Sequence, residues 1–120
     1  MTEPTPSQAP DTTPAQQVAA HIEHLKSANS ETRARAAYAL AELGEAAREA
    51  ISALITLVRD EDRIVRVAAV NALGMIGGTE VLPTLREANA HDQSFHVRRI
   101  ARRGIDAIED KSQGIVRLER

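Results

Sequence analysis

His21 and His24 stand three residues apart in the run HIEH, a spacing that turns both imidazoles toward one side of a helix. With Glu23, or an acid from elsewhere, they could share a metal ion. No second pair of this kind recurs downstream, so two solvent-facing histidines beside the apolar stripe Val18, Ile22 and Leu25 are the preferred reading, and no metal or cofactor is expected. His91, Asp92 and His96 form a second group, in which an imidazole could titrate near neutrality. No Ser or Cys nucleophile stands beside them in a recognisable setting, so they read as capping or surface groups. Arg98, Arg99, Arg102 and Arg103 crowd into six residues with no acid among them, and share one helical arc opposite Val97, Ala101, Ile105 and Ile108. That arc is either an anchor for phosphate or an acidic partner, or the polar outer face of a terminal element, partly neutralised by Asp106. The second is favoured, because Phe95 is the one aromatic side chain nearby.

The elements that position these groups follow from composition. The chain has 120 residues, 42% apolar and 27% charged, with a net charge of −2, which suits one small globular domain and excludes a membrane span or a wholly disordered chain. Aromatics are 2% of the chain while alanines number 21, so the core must be built from Ala, Leu, Ile and Val. Such a core favours close-packed helices over sheets. Without cysteine there is no disulfide framework, thiolate nucleophile or Cys-based metal site. No Lys or Arg precedes Lys26, so no secretory or transit peptide is expected and the cytoplasm is the expected compartment. A near-neutral charge balance argues against nucleic acid as a partner.

Residues 1–17 hold four of the five prolines and few apolar side chains, and read as a disordered tail. From Val18 onward the pattern is of short helices in series. Slid against itself, the chain repeats: Asn29 to Gly44 lies over Asp62 to Gly77 at an offset of 33, and Ser94 to Glu109 follows at 32. Asn29, Asp62 and Ser94 coincide as helix caps, and Arg33, Arg66 and Arg98 coincide one turn later. The inward positions Thr32, Ala36, Ala39, Leu40 and Leu43 match Val65, Ala69, Ala72, Leu73 and Ile76, then Val97, Ala101, Gly104, Ile105 and Ile108. Shorter partner segments repeat between them, Glu49 to Val58 over Glu80 to Asn89, with Val18 to Leu25 as an earlier member. Gly44 and the pair Gly77 and Gly78 are expected to end the long helices in a left-handed turn. The recurring arginines predict an inter-repeat ladder with acidic or carbonyl groups such as Asp62.

The run VRVAAVNALGMIGG followed by VLPTL resembles the short HEAT-like repeats, roughly 30 residues long, associated with the phycobilin lyase family. Thr32 and Ala41 replace the motif's Val and inner Gly in the first unit, and Asp106 and Glu109 replace both glycines in the third. The resemblance implies an all-α solenoid of stacked antiparallel hairpins, about two and a half to three repeats over residues 18–109, with 110–120 as a tail or capping segment. It also allows an accessory role in attaching a tetrapyrrole. Iron hydroxylases built from such repeats carry paired His-Glu motifs, and no His-Glu dipeptide occurs here.

A non-catalytic scaffold that presents a concave helical surface to a protein partner is the reading that follows, with tetrapyrrole attachment as the alternative. The partner-binding candidates are the outward positions of the shorter helices, Glu23, Glu49, Ser52, Thr56, Glu80, Pro83 and Glu87. Self-association through the C-terminal end is a further expectation, because Ile105, Ile108, Ser112 and Ile115 keep a heptad-like spacing.

Overall fold

A computed structural model describes residues 13–112, and among them every element is helical. The order is α1 (Pro14–His24), α2 (Ser30–Leu43), α3 (Ile51–Leu57), α4 (Arg63–Ile76), α5 (Leu82–His91) and α6 (Phe95–Ser112), with 3₁₀ stretches at Gly44–Ala50 and Thr79–Val81. The long helices α2, α4 and α6 lie side by side in one layer, and the short ones, α1, α3 and α5, form the other. Each short helix packs chiefly against the long helix that follows it, so the chain forms three hairpins, α1 with α2, α3 with α4, and α5 with α6. It is an α-solenoid in which each hairpin buries its apolar face against the next.

Sequence explains where the long helices begin. Asn29 and Asp62 accept hydrogen bonds from the N–H groups of Thr32 and Ile64, and Ser94 does the same for Val97. Asp62 is held below the ordinary aspartate range chiefly by the Ile64 N–H, with the Ser30 hydroxyl, the Val65 N–H and the charge of Arg33 assisting against partial burial. Thr13 and Gln16 close a reciprocal capping box, with Pro14 in the first turn, so α1 starts four residues before the expected edge of the N-terminal tail. The rest of that tail, residues 1–12, lies outside the described residues, as do 113–120 of the C-terminal segment. Asp110, Lys111 and Ser112 still belong to α6.

The core is aliphatic throughout, and no polar or charged residue is buried among the described residues. Leu40, Leu54, Leu73 and Leu85 are fully enclosed, and each such side chain stabilises the fold by about 1.5–3 kcal/mol. The inward positions expected in α4 and α6 are all buried. In α2 only Ala36 and Leu40 are; Thr32, Ala39 and Leu43 are half-buried, because α2 ends the layer and only short α1 covers that side.

The glycines divide in role. Gly44 has the positive φ expected of it, +57°, but with ψ −137°, a form open to glycine in place of the left-handed helical turn. Gly77 and Gly78 are extended instead, at φ −86° and −114°. At Gly77 a methyl group would meet the Val81 side chain at 2.7 Å, so packing explains the glycine there. Ile105 and Ile108 are covered by the protein's own core, which removes them from the expected heptad seam; Ile115 lies outside the described residues.

Candidate interaction groove

The three loops that enter the long helices repeat one local design. The side-chain oxygen of Ser27, Asp60 or Asp92 accepts the N–H two residues on, at 3.0, 2.9 and 2.8 Å. The arginine one turn into the long helix then ties the loops together. Arg33 donates through Nε and Nη2 to both oxygens of Asp60, at 3.0 and 3.1 Å, and through Nη1 to the Ser27 carbonyl at 2.8 Å. Arg66 grips Asp92 in the same way, at 3.0 and 3.3 Å, with Nη1 on the Asp60 carbonyl at 3.0 Å. Arg98 repeats the carbonyl half alone, donating to the Asp92 carbonyl at 2.7 Å.

This is the ladder expected of the recurring arginines, with different acids. Asp60 and Asp92 supply the carboxylates, while Asp62 caps α4. Both pairs are largely shielded, Arg33 and Asp60 at 14% and 9% side-chain exposure and Arg66 and Asp92 at 11% and 9%. Planar, two-point pairing of this kind fixes orientation as well as charge. The hydrogen bond to Asp60 raises the Arg33 guanidinium above its ordinary pKa against the opposing effect of burial, so it stays charged.

Beside this ladder, an open groove of about 880 Å³ runs between α3 and α5. Ile55, Val58 and Arg59 form one wall, Pro83, Thr84, Glu87 and His91 the other, and the paired Arg66 and Asp92 border it. Its lining mixes apolar side chains with charges of both signs. The ladder holds the two walls in register, because Asp60 follows α3, Asp92 follows α5, and Arg66 reaches both loops.

Of the partner-binding candidates, Pro83 and Glu87 line the groove. Ser52 and Thr56 are exposed on α3, where the Thr56 hydroxyl donates to the Ser52 carbonyl at 3.5 Å. Glu49 is exposed in the 3₁₀ stretch before α3. Glu23 lies apart on α1 with Lys26 at 3.6 Å. Glu80 is engaged within the fold: Arg48 donates to it at 2.6 Å and the Gly78 N–H at 3.1 Å. Its own backbone N–H chiefly holds it below the ordinary glutamate range, with Arg48 and Gly78 assisting against desolvation. Ile55, Arg59, Thr84 and His91 were not among the candidates. The signal for Ile55 is a large aliphatic off the buried stripe of α3, 37% exposed; Arg59 stands out only once the ladder is seen, and His91, read from the sequence as a capping or surface group, lines the groove.

His21 and His24 are neighbours with ring centroids 6.5 Å apart, and among the described residues no group of three or more His, Cys, Asp or Glu side chains converges to hold a metal. In the basic arc, Arg102 pairs with Asp106 at 3.3 Å, and Arg98 and Arg99 lie over the Phe95 ring at 5.8 and 5.9 Å. Arg103 borders a shallow seam with Val70, Gly74, Met75 and Ile100 between α4 and α6.

A family model of HEAT repeats matches residues 18–106. The chain belongs to the HEAT-repeat family. HEAT repeats are generally protein-interaction scaffolds, and the matched stretch holds the whole arginine ladder and all of the three hairpins except the first turn of α1 and the end of α6. A comparison with curated proteins finds no match. No helix among the described residues is long and apolar enough to cross a membrane.

Proposed function

We propose that this HEAT-repeat chain is a non-catalytic interaction module, which holds a segment of a protein partner in the groove between α3 and α5. The observation that carries the reading is the groove itself: two helices held in register by shielded ion pairs, presenting apolar and charged side chains along an open channel. An open, mixed lining suits a peptide segment, whereas small-molecule pockets are mostly enclosed and apolar. Glu61 and Glu87 against Arg59 and His91 favour a partner segment of mixed charge that places an apolar residue on Ile55 and Val58. The surface is preformed, so binding needs little rearrangement. A cytoplasmic setting agrees with the cysteine-free composition.

The test compares affinity capture by the parent chain with capture by the double variant Ile55→Glu, Glu87→Lys, both positions being exposed. A stoichiometric protein lost by the variant at unchanged melting temperature is the expected result; a partner retained at full yield removes the groove. Tetrapyrrole attachment is the rival. Phe, Tyr and Trp are absent from the groove lining, so little there can stack on a planar ring. Bilin added to the purified protein is expected to leave its visible absorbance unchanged, and a stable coloured adduct would favour the rival.

A further inference from the structure

Arg98 occupies the register that Arg33 and Arg66 use to hold an aspartate. Its guanidinium is already oriented. Nη1 donates to the Asp92 carbonyl, as Nη1 of Arg66 does to that of Asp60, and the Phe95 ring lies 5.8 Å from its central carbon. The other edge, Nε and Nη2, meets no carboxylate among the described residues, although it is this edge that takes Asp60 in Arg33 and Asp92 in Arg66. We infer that this edge of Arg98, with Arg99 beside it over the same Phe95 ring, is a docking site for an acidic segment of a partner protein, which places an Asp or Glu carboxylate where the ladder's next acid would stand.

The molecule itself displays the ligand, since the same side chain in the same local frame takes a side-on carboxylate twice within this chain. Charge complementarity extends the contact. Arg99 is exposed and has no ion-pair partner among the described residues, whereas Arg102 is partly neutralised by Asp106.

Two other occupants fit less well. One is a further helical repeat stacked on α6. Ala34, Ala37 and Ala41 of α2 are buried, and the same register in α4 holds Val67, Val70 and Gly74, of which Val70 and Gly74 lie in the seam with α6. In α6 that register holds Arg99, Arg102 and Asp106, all exposed. A charged stripe cannot bury a neighbouring helix as the apolar ones do, because desolvating these groups would exceed the gain. The other is a second copy stacked end to end. Its α1–α2 loop carries Ser27 at the position of Asp60 and Asp92, so it would bring a hydroxyl where the fork takes a carboxylate.

The experiment selects short random peptides on the immobilised protein, and repeats the selection on Arg98→Lys, which keeps the charge and removes the two-point fork. Expected is enrichment of Asp- or Glu-bearing sequences on the parent that is lost on the variant. By fluorescence anisotropy, the best peptide is expected to bind Arg98→Lys about tenfold more weakly, as follows from losing one charge-assisted hydrogen bond. Arg99→Glu is expected to weaken it as well, with the helical signal and melting temperature of both variants unchanged. Replacing the peptide's acids by Asn or Gln should abolish binding. No acid enrichment on the parent would overturn the inference, as would equal binding to Arg98→Lys. Single-stranded RNA that binds the parent more tightly than the peptide, with no dependence on Arg98, would overturn it in favour of a diffuse phosphate-binding surface. Groove variants leave this readout untouched, so the two proposals fail separately.

Discussion

Replacing Gly74 by Ala is a change of one methyl group whose sign the structure decides. In a helix interior, Ala is favoured over Gly by about 1 kcal/mol, so propensity alone predicts a more stable protein. Here α4 crosses α6 at Gly74 and Gly104, and an added Cβ at Gly74 would stand 2.8 Å from the Gly104 Cα. Non-bonded carbons settle at about 3.5–4.0 Å, so the two helices would have to part by roughly 1 Å. The obstacle is main chain on both sides, with no flexible side-chain end to swing away. Overpacking of this kind costs about 1–3 kcal/mol. After the propensity gain, a net loss of up to about 2 kcal/mol remains, which lowers the melting temperature of a domain this size by as much as roughly 15 °C. Gly104→Ala supplies the comparison: its Cβ would lie 3.2 Å from the Gly74 Cα and 3.3 Å from Leu85 Cδ1. Those contacts need a shift of only a few tenths of an ångström, and the leucine methyl can yield, so propensity nearly offsets the loss. Thermal melts followed by circular dichroism should therefore rank the parent near Gly104→Ala and both well above Gly74→Ala. A Gly74→Ala protein that melts at or above the parent temperature would refute the close crossing.

Two further outcomes follow from the ladder and the caps. Asp92→Ala leaves the Arg66 fork and the Ser94 N–H without their acceptor in a shielded site, and should cost about 3 kcal/mol, read as a lower urea midpoint at unchanged slope. Asp62 and Glu80 titrate below their ordinary values in the folded chain, so as pH falls the unfolded chain takes up their protons first. Their contribution is complete at neutral pH and is lost as pH falls from about 4 through the lowered folded values. Asp62→Asn, which keeps a capping oxygen as Asn29 does in α2, should flatten the acid limb of melting temperature against pH while leaving the neutral value near that of the parent.

Much of the fold was legible because it rests on local rules repeated three times. The caps Asn29, Asp62 and Ser94, the arginines one turn later and the buried stripes of α4 and α6 follow from helix geometry, which a 3.6-residue period writes directly into the chain. The start of α1 is masked in the sequence by four prolines that suggest a tail, although Thr13, Pro14 and Gln16 together make a strong helix start. The candidate site was only partly legible. Pro83 and Glu87 came from helical periodicity, but Glu80, on the same outward pattern, is tied to Arg48 from a distant turn. Ile55, Arg59 and His91 join the groove through α3, α5 and the ladder between them, a relation that no single helix contains.

Composition and periodicity by themselves determined that this protein is a stack of Ala-rich helices with a repeated cap and a repeated arginine, because propensity, capping and amphipathic spacing act within a turn or two of chain. Only the tertiary structure decided which acids those arginines hold, Asp60 and Asp92 across 27 and 26 residues. It also decided which short helix pairs with which long one, that Gly77 is small to admit Val81, and that Gly74 is small to admit α6. Those outcomes depend on distances between elements, and the approach of two helices is set by every side chain in the layer between them at once.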